Sequence, residues 1–310
     1  MSNYRCQSAL KLVELDHKFK IFCRNGCRTV VDLAAAPGGF SQVALEGMNK
    51  YRDRHHHRNL DHLSPLKPLV LAVDLRPIEP IADEVRILRC NVLHHRELIR
   101  QLRPFLNHSN ANPYAATEDI ERARSVTQAP TPRAVDVVLH DGVSVVAGQH
   151  AFSVTYAQNQ MVLSALLFAC KVFSFSPFAP SARETAEGDR PRFRPLSGGV
   201  FVSKLMHSTH LPKVLTATRR FFRRVHLHKP SACRAESLET YLIAEDFLRP
   251  RWETYLRGFT SFRGGRSANP FSLAPDVGDI AKGMAIVWVC LGCGQTRTSC
   301  APCPTCMGMR

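Results

Sequence analysis

Residues 30–44, VVDLAAAPGGFSQVA, place a strand, a glycine turn and the start of a helix in direct succession. The apolar run from Arg28 to Leu33 predicts a short buried strand, and a helix is expected from about Phe40 to Gly47. The turn between them, Ala36-Pro37-Gly38-Gly39, lacks the complete Gly-x-Gly-x-x-Gly pattern of a dinucleotide site. Its small residues still let a ligand approach the main chain, and the helix N-terminus that follows offers N–H groups to a carboxylate. We therefore expect this turn to hold a cofactor with an amino acid-like tail.

Strand-like and helix-like segments alternate along most of the chain. The hydrophobic spacing from Ala9 to Phe22 predicts an opening helix, and the alternation continues beyond the glycine turn. Such alternation predicts an α/β fold, a mainly parallel sheet with helices on both faces and ligand sites at the carboxyl ends of its strands. The further predicted strands are Leu69–Asp74, Val85–Leu88, Val135–His140, Gly199–Leu205, Val225–His228 and Thr240–Ala244, and the further predicted helices are Arg96–Leu102, Gln158–Val172 and Leu211–Phe222.

Composition limits the class of protein. The chain has 310 residues, and 41 Lys and Arg against 26 Asp and Glu give a net charge of +15, which favours a polyanionic partner. Its 45% hydrophobic and 22% charged residues are typical of a globular protein. Apolar runs fall short of the ~20 residues that cross a bilayer, and the N-terminus lacks the features of a secretory or transit signal. We expect a protein of a reducing, intracellular compartment without a membrane span.

Three segments interrupt the alternation and are predicted to be surface insertions, at about 51–67, 107–133 and 173–197. The first contains three consecutive histidines, which cannot all converge on one ion, so we expect no metal site there. Cysteines crowd the end of the chain, and their spacing leaves structural zinc and free thiols both open. These cysteines are Cys290, Cys293, Cys300, Cys303 and Cys306.

An acidic residue, Asp74, ends the second predicted strand. It follows Gly38 by 36 residues, of which 17 belong to the predicted insertion 51–67, and the remaining 19 are close to the ~20 typical of an acid that holds a ribose diol. This spacing indicates a nucleoside cofactor. The alternative for Asp74 alone is an aspartate that caps a turn.

Six segments of the chain, in order, resemble the FtsJ/RrmJ family of S-adenosylmethionine-dependent RNA 2′-O-ribose methyltransferases. The resemblance covers about residues 4–246 and implies a Rossmann-like methyltransferase domain at 1–246, followed by a basic, cysteine-rich tail of unknown structure at 247–310. The His-Asp-Gly sequence and the Ser-x-Glu-x-Tyr ending look most like the eukaryotic Spb-type pre-rRNA methyltransferases. The segments are Tyr4–Leu12, Val30–Ala44, Ala72–Ile81, Asp136–Gly142, Gly198–Leu205 and Lys229–Ile243.

The same resemblance implies the catalytic groups. The Lys-Asp-Lys-Glu tetrad of the family falls on Lys11, Asp141, Lys204 and Glu239. Lys204 would accept the proton of the ribose hydroxyl or orient its oxygen, and Lys11 nearby would disfavour a second positive charge. Asp141 would steer Lys204 and face the methionine part of the cofactor, while Glu239 would fix the lysine geometry and accept from the ribose. Independently of the resemblance, Asp141 and Lys204 follow apolar runs and so belong to strand ends, although a turn-capping aspartate and a surface lysine at position 11 are the alternatives.

By the same resemblance, the contacts to S-adenosylmethionine fall on Gly38, Phe40, Asp74, Asn91 and Asp141. Phe40 stands where the family commonly has Trp, which keeps an aromatic face but loses the indole N–H. Asn91 stands where an Asp usually accepts from the adenine amino group, and an amide oxygen accepts without charge-assisted strength. The Ala-Pro-Asn that commonly follows the Asp-Gly pair is missing after Gly142. We expect the cofactor to bind, with reduced affinity.

RNA is the expected partner, first ribosomal RNA or its precursor, together with pre-ribosomal proteins in the nucleolus. Transfer RNA or an mRNA cap as substrate, a cytoplasmic location, and a catalytically silent RNA-binding assembly factor are the alternatives. Phe221 and Phe222, within a basic stretch, could stack on bases or belong to the core. The target nucleotide and the oligomeric state do not follow from the sequence. The two basic clusters are Arg219, Arg220, Arg223, Arg224 and Lys229, and Arg249, Arg251, Arg257, Arg263 and Arg266.

Overall fold

The structure is a computed structural model that describes residues 4–23, 27–56, 67–107, 133–143, 151–174, 199–261, 269–273, 288–289 and 296–297. Helices and strands alternate through these ranges, as the sequence predicts. The helices are α1 (Ser8–Phe19), α2 (Gly39–His56), α3 (His95–Asn107), α4 (Ala151–Ser174), α5 (Leu211–Phe221) and α6 (Arg249–Ser261). The strands are β1 (Thr29–Leu33), β2 (Leu69–Asp74), β3 (Val85–Arg89), β4 (Val137–His140), β5 (Val200–Met206), β6 (Phe222–His228), β7 (Glu239–Phe247), β8 (Trp288–Val289) and β9 (Thr296–Arg297).

Seven strands form one sheet in the order β3-β2-β1-β4-β5-β7-β6, and β8 and β9 pair separately. The first five run parallel, whereas β7 is antiparallel to both β5 and β6. Each residue of β1 and β4 is buried, because a parallel sheet that is covered on both faces requires near-continuous apolar strands. The predicted α/β fold with a mainly parallel sheet is confirmed.

Two apolar clusters fill the two faces of the sheet, because successive strand residues point to opposite sides. Val30 of β1 packs with the buried side chains of α1 and α2, and its neighbour Val31 packs with those of α3, α4, α5 and α6. Strand β1 lies between β2 and β4. From β1 to β3 the chain moves toward one edge of the sheet, and from β4 onward it moves toward the other edge. Open sheets of this kind bind ligands outside the carboxyl ends of the strands at that point.

Helix boundaries differ from the predictions at four helices, and two of them, α3 and α4, are longer than predicted, at His95–Asn107 and Ala151–Ser174. Helix α1 ends at Phe19 rather than Phe22, because Lys20 adopts a left-handed conformation and the backbone N–H of Phe22 donates to the side chain of Asp16 at 3.0 Å. Helix α2 continues to His56, well past the predicted end at Gly47. The start of the predicted insertion 51–67 is therefore helical and not a loop, since the residues there contain no helix breaker.

The chain beyond residue 247 begins with a helix that the sequence reading does not predict. Trp252 and Tyr255 of α6 pack against Phe221 of α5 and against Phe271, at ring-centroid distances of 5.5 to 6.2 Å. Gln160 of α4 holds the segment 269–273 by accepting from Leu273 N and donating to Phe271 O, both at 2.9 Å. This part of the predicted tail is therefore continuous with the core.

Several predicted features lie outside the described residues: most of the insertions 51–67, 107–133 and 173–197, the residues Arg263 and Arg266, and the C-terminal cysteines. Among the helices of the described ranges, none combines the length and the apolar character that a membrane span requires.

Candidate active site

A cavity of about 580 Å³ opens at the carboxyl ends of β1, β2, β4 and β5. This volume lies within the range of small-molecule and cofactor sites. Its wall is built from the arm that leads into α1, the loops that follow β1, β2, β3 and β4, and one residue of β5. The lining comprises Cys6, Ser8, Lys11, Asp32, Ala34, Ala35, Ala36, Pro37, Gly39, Phe40, Asp74, Leu75, Arg76, Cys90, Asn91, Val92, Leu93, Asp141, Gly142, Val143, Met161 and Lys204.

Lys204 and Asp141 form an ion pair in the cavity wall. The Lys204 amine donates to the Asp141 carboxylate at 3.0 Å and to the Asp141 backbone carbonyl at 2.8 Å. Only 7% of the Lys204 side chain is exposed. The pair forms because β4 and β5 run parallel and in register up to His140 and Ser203, so the next residue of each strand reaches the same edge.

Lys11 and Glu239 form a second ion pair, in which the amine of α1 donates to the first residue of β7 at 2.6 Å. Lys11 lines the cavity. Glu239 does not line it, and its influence on the cavity comes through its hydrogen bond with Lys11. Burial lowers the pKa of Lys11, but the hydrogen bond and the charge of Glu239 outweigh burial and raise it above its usual value. Burial likewise raises the pKa of Glu239, and the bond and charge of Lys11 lower it overall. Lys11 is therefore held as a cation and is a poor proton acceptor.

Tyr241 links the two ion pairs. Its hydroxyl donates to Asp141 Oδ1 at 2.7 Å and lies 3.1 Å from Glu239 Oε1. Burial raises the pKa of Tyr241, and the charges of Asp141 and then Glu239 raise it further, so the hydroxyl stays protonated. The antiparallel pairing of β5 with β7 sets Tyr241 beside Lys204. The structure thus brings the four predicted tetrad residues into one hydrogen-bonded group.

The glycine turn after β1 shapes the opposite side of the cavity. Gly38 has φ = +112°, a conformation that favours glycine, and a side-chain carbon at this position would approach Ile81 Cδ1 to 2.7 Å. Gly38 does not line the cavity, so its observed part is to direct the chain into α2 rather than to offer a contact. Phe40, in the first turn of α2, does line it, and its ring lies 6.4 Å from that of Tyr241.

Asp74 lies in the wall at the end of β2, as the spacing predicts. One carboxylate oxygen accepts from Ala36 N and the other from Arg76 N, each at 2.9 Å, so Asp74 also caps the turn and ties it to the glycine loop. Each oxygen retains a lone pair for a hydroxyl donor. Asn91 lines the cavity too, but its Oδ1 accepts from Leu93 N at 3.0 Å, so the expected adenine acceptor already has one donor.

The buried carboxylate of Asp32 bears on whether the cavity suits S-adenosylmethionine. Asp32 of β1 lines the cavity, its Oδ2 accepts from Ser41 at 2.7 Å, and its Oδ1 is buried without a hydrogen-bond partner in the described part of the chain. Burial raises the pKa of Asp32 to about 7 against the opposing hydrogen bond of Ser41. An acceptor of this kind is suited to a cationic group. Together with the helix N-terminus, Asp74 and Phe40, the wall fits an amino acid-bearing nucleoside.

None of the described residues of the two basic clusters lines the cavity. Phe221 and Phe222 are fully buried, so the possibility that they stack on bases is wrong, and they belong to the core. The guanidinium of Arg220 lies 5.3 Å from the Tyr255 ring centre, and Arg224 pairs with Glu245 and Asp246. Arg220 lies in the last turn of α5, and Arg224 lies four residues before His228, the β6 residue that pairs with Tyr241, or ~13 Å along the strand at ~3.3 Å per residue.

Sequence reasoning assigned no function to three groups that the structure places at the site. Asp32 has a detectable signal, since an acid inside an apolar strand is rare without a purpose. Tyr241 is part of the Ser-x-Glu-x-Tyr pattern. It follows Glu239 by two residues, so in a strand both side chains are expected on the same face. The buried side chain of Gln158, which contacts the loop after β4, has no signal in the local sequence.

Comparisons with known proteins agree with this geometry. The family described as FtsJ-like methyltransferase matches residues 4–247 of the chain. The tRNA (cytidine(32)/guanosine(34)-2′-O)-methyltransferase of Schizosaccharomyces pombe is 29% identical over 249 residues, covering 80% of this chain and 67% of that protein. The pre-rRNA 2′-O-ribose RNA methyltransferase of Pongo abelii is 28% identical over 252 residues, covering 80% of this chain and 22% of that protein.

A third relative is the ribosomal RNA large subunit methyltransferase E of Anaplasma marginale, which is 27% identical over 251 residues, or 80% of this chain and 90% of that protein. The chain therefore spans nearly the whole of this bacterial relative but only about a fifth of the pre-rRNA relative. The family match covers the sheet, the cavity and all four tetrad positions. The chain belongs to the FtsJ-like methyltransferase family, the S-adenosylmethionine-dependent 2′-O-ribose RNA methyltransferases.

Proposed function

We propose that this chain methylates ribose 2′-hydroxyls of ribosomal RNA or its precursor, with Lys204 as the group that takes the hydroxyl proton. The observation that carries the proposal is the Lys204 amine, 7% exposed in the cavity wall and held by Asp141. An ionisable amine in such a place is costly unless it has a partner and a purpose. Lys11 is the weaker candidate for the proton acceptor, because Glu239 keeps it charged.

Each tetrad residue then has a distinct task. Lys204 accepts the proton or orients the 2′-oxygen, and Asp141 fixes the direction of its amine through two hydrogen bonds. Lys11, a cation at the cavity wall, stabilises negative charge that develops on the oxygen. Glu239 holds Lys11 in place. The chain thus supplies orientation and charge to a poorly nucleophilic alcohol.

The other side of the cavity is proposed to hold the cofactor. Asp74 would accept from the ribose hydroxyls, Phe40 and Asn91 would contact the nucleoside, and Asp32 would accept from the ammonium group. S-adenosylmethionine, when bound, supplies an electrophilic methyl group on its sulfonium. The reduced affinity that we expect follows from Asn91, which lacks the charge of an aspartate.

The choice of RNA class rests on the sequence around the site. The His-Asp-Gly at 140–142 resembles the Spb-type pre-rRNA enzymes, which favours ribosomal RNA and a nucleolar location. The relative named as a tRNA methyltransferase supports tRNA, with a cytoplasmic location, as the second candidate. The two identities, 29% and 28%, do not separate these candidates. We further propose that residues 1–246 form the catalytic domain and that the region 247–310 is accessory to it, apart from α6 and residues 269–273, which pack on its core.

The test uses the purified full-length chain, methyl-labelled S-adenosylmethionine, and unmodified ribosomal RNA and tRNA in parallel. Digestion to nucleosides locates the label, and we expect 2′-O-methyl nucleosides from ribosomal RNA with kcat/KM at least about tenfold above that for tRNA. Label found mainly in tRNA would overturn the substrate assignment. Label on bases, or RNA binding without cofactor binding by calorimetry, would overturn the proposed reaction for this chain.

A further inference from the structure

A buried polar pair lies directly behind the ion pair of the cavity. His140 and Ser203 are register partners in β4 and β5, and each is followed by a tetrad residue, Asp141 or Lys204. The His140 Nδ1 and Ser203 Oγ atoms are 2.8 Å apart, and the two residues are 1% and 0% exposed. One side-chain hydrogen bond therefore joins the strands one residue before the ion pair.

Ser203 Oγ lies between two polar atoms. His140 Nδ1 is 2.8 Å away, and the carbonyl oxygen of Lys204, a possible acceptor, is 3.3 Å away. Burial, and after it the charge of Lys204, lowers the pKa of His140 to about 3, so the ring is neutral. A row of polar atoms thus runs from His140 through Ser203 to the peptide of Lys204.

A second bridge joins the same strand ends from α4. Gln158 is 1% exposed, and its Nε2 donates to the carbonyl oxygen of Gly142 at 2.9 Å and lies 3.5 Å from that of Lys204. The peptide beyond Asp141 and the peptide of Lys204 therefore share one amide donor. One side-chain pair before the ion pair, and one side-chain amide that donates to backbone carbonyls beside it, therefore fix the two strands.

Such polar bridges are an expensive way to fill the interior of a sheet. The strands are otherwise apolar here, and a leucine or valine pair would pack without the desolvation cost of an imidazole, a hydroxyl and an amide. What the bridges add is a fixed separation between two strand ends. We propose that His140, Ser203 and Gln158 are positioning residues that hold the Lys204 amine and Asp141 in the geometry needed for proton removal; this inference rests on the proposed function of Lys204.

The molecule contains a matched control for this proposal. His95 of α3 and Ser164 of α4 form another buried pair, with His95 Nε2 and Ser164 Oγ 3.1 Å apart. The residues are 0% and 2% exposed, and burial lowers the pKa of His95 well below its usual value. Neither residue lines the cavity. Removing the hydroxyl of Ser164 thus breaks the same kind of buried bond at a place remote from the ion pair.

The experiment compares Ser203→Ala with Ser164→Ala in the full chain. We expect Ser203→Ala to lower the single-turnover rate about tenfold or more, with the dissociation constant for S-adenosylmethionine and the KM for RNA changed less than about twofold. Ser164→Ala should leave the rate within about twofold, although both variants lose thermal stability. His140→Asn, whose amide can occupy the Nδ1 position, should recover most of the rate that His140→Leu loses.

A second measurement does not depend on methyl transfer. Competitive acetylation of the lysines, read by mass spectrometry across pH, reports the reactivity of the Lys204 amine, which Ser203→Ala should change at least about threefold and Ser164→Ala should not. Equal rates in Ser203→Ala and wild type, or equal losses in both alanine variants, would overturn the proposal. A wild-type chain without methyl transfer but with the acetylation difference keeps the positioning network and rejects the proposed function. The loss of both signals rejects the network as well.

Discussion

The two sides of the cavity are built in different ways. The cofactor side is formed by loops that each follow a strand within a few residues, and Asp74 bonds there to the backbone of Arg76 and Ala36, which are 2 and 38 positions away in the chain. The catalytic side joins residues 63, 100 and 228 positions apart in the chain through Lys204, Tyr241 and Lys11. The first depends on local turns, and the second depends on how β7 and α1 dock onto the sheet.

Cofactor binding and the reaction rate should therefore be sensitive to substitutions on different sides of the cavity. Damage on the cofactor side should weaken binding while leaving the geometry of the reacting groups intact. Damage on the catalytic side should slow the reaction while cofactor binding survives, because Lys204 pairs with Asp141 and Lys11 pairs with Glu239. Variants that separate affinity from rate therefore test the division directly.

The largest expected effect is that of Lys204→Ala, on the catalytic side. Removing the amine deletes the proposed proton acceptor and leaves Asp141 without its ion-pair partner, so we expect the single-turnover rate to fall about a thousandfold or more. The dissociation constant for S-adenosylmethionine, measured by calorimetry, should change less than about threefold. Lys213→Ala, an exposed lysine on α5, is the control and should retain full activity. Equal losses in rate and affinity would contradict the division into two sides.

The opposite pattern is expected for Asp74→Asn, on the cofactor side. The amide keeps one of the two backbone hydrogen bonds of Asp74 and loses the charge and one acceptor oxygen, so affinity for S-adenosylmethionine should fall about 30-fold. The rate at saturating cofactor should stay within about threefold. Asp83→Asn, an exposed change in the loop before β3, should behave as wild type. A fall in the saturated rate that matched the fall in affinity would show that Asp74 also acts on the reacting groups.

The same division decides what the sequence could predict. The bounds of β2 are observed as predicted, Leu69–Asp74, because a strand buried on both faces leaves an unbroken apolar run. Asp141 and Lys204 could be placed by the strands that precede them. The places of Lys11 and Glu239 in the site came only from the family resemblance, since no local pattern relates α1 to β7, and their pairing is seen only in the structure.

Other features could not be predicted from local sequence patterns, because they depend on contacts between distant parts of the chain. Helix α6 was missed because its buried face, Trp252 and Tyr255, finds its partners in Phe221 and Phe271 from other parts of the chain. The hydroxyl of Tyr241 and the ring of His140 were visible in the motifs, but their partners depend on strand register. Tertiary contacts, and not propensity, determine these positions.

A pH dependence should distinguish Asp32 from a purely structural acid. Because its pKa in the folded chain is about 7, above the ordinary value of an aspartate, the folded state binds the extra proton. Asp32 should therefore contribute a fall in the free energy of unfolding without cofactor as pH rises from about 4 to about 7, by up to about 1.4 kcal/mol per unit, and Asp32→Asn should remove that contribution. Denaturant unfolding across pH measures it.

Binding should show the complementary behaviour for Asp32. The wild-type affinity for S-adenosylmethionine should weaken below pH 7, and Asp32→Asn should bind about tenfold more weakly at pH 8 with little pH dependence. Asp136→Asn is the comparison, since Asp136 is a partly exposed acid whose pKa desolvation raises to about 6, and it precedes β4 at the end of that strand opposite to the cavity. It should alter the stability slope alone. Equal binding losses in both variants would indicate a general effect of buried charge.

The smallest effect is expected at Tyr241, which lies between the two sides. Its ring faces Phe40 and its hydroxyl joins Asp141 to Glu239. Tyr241→Phe keeps the ring packing and removes one hydrogen bond, so the rate should fall about fivefold with cofactor affinity within twofold, because the two ion pairs remain. Tyr255→Phe, in the aromatic cluster on the other face, should leave the rate unchanged. A loss from Tyr241→Phe as large as that from Lys204→Ala would show that the tetrad works only as a linked unit, whereas a loss of affinity instead of rate would assign Tyr241 to the cofactor side.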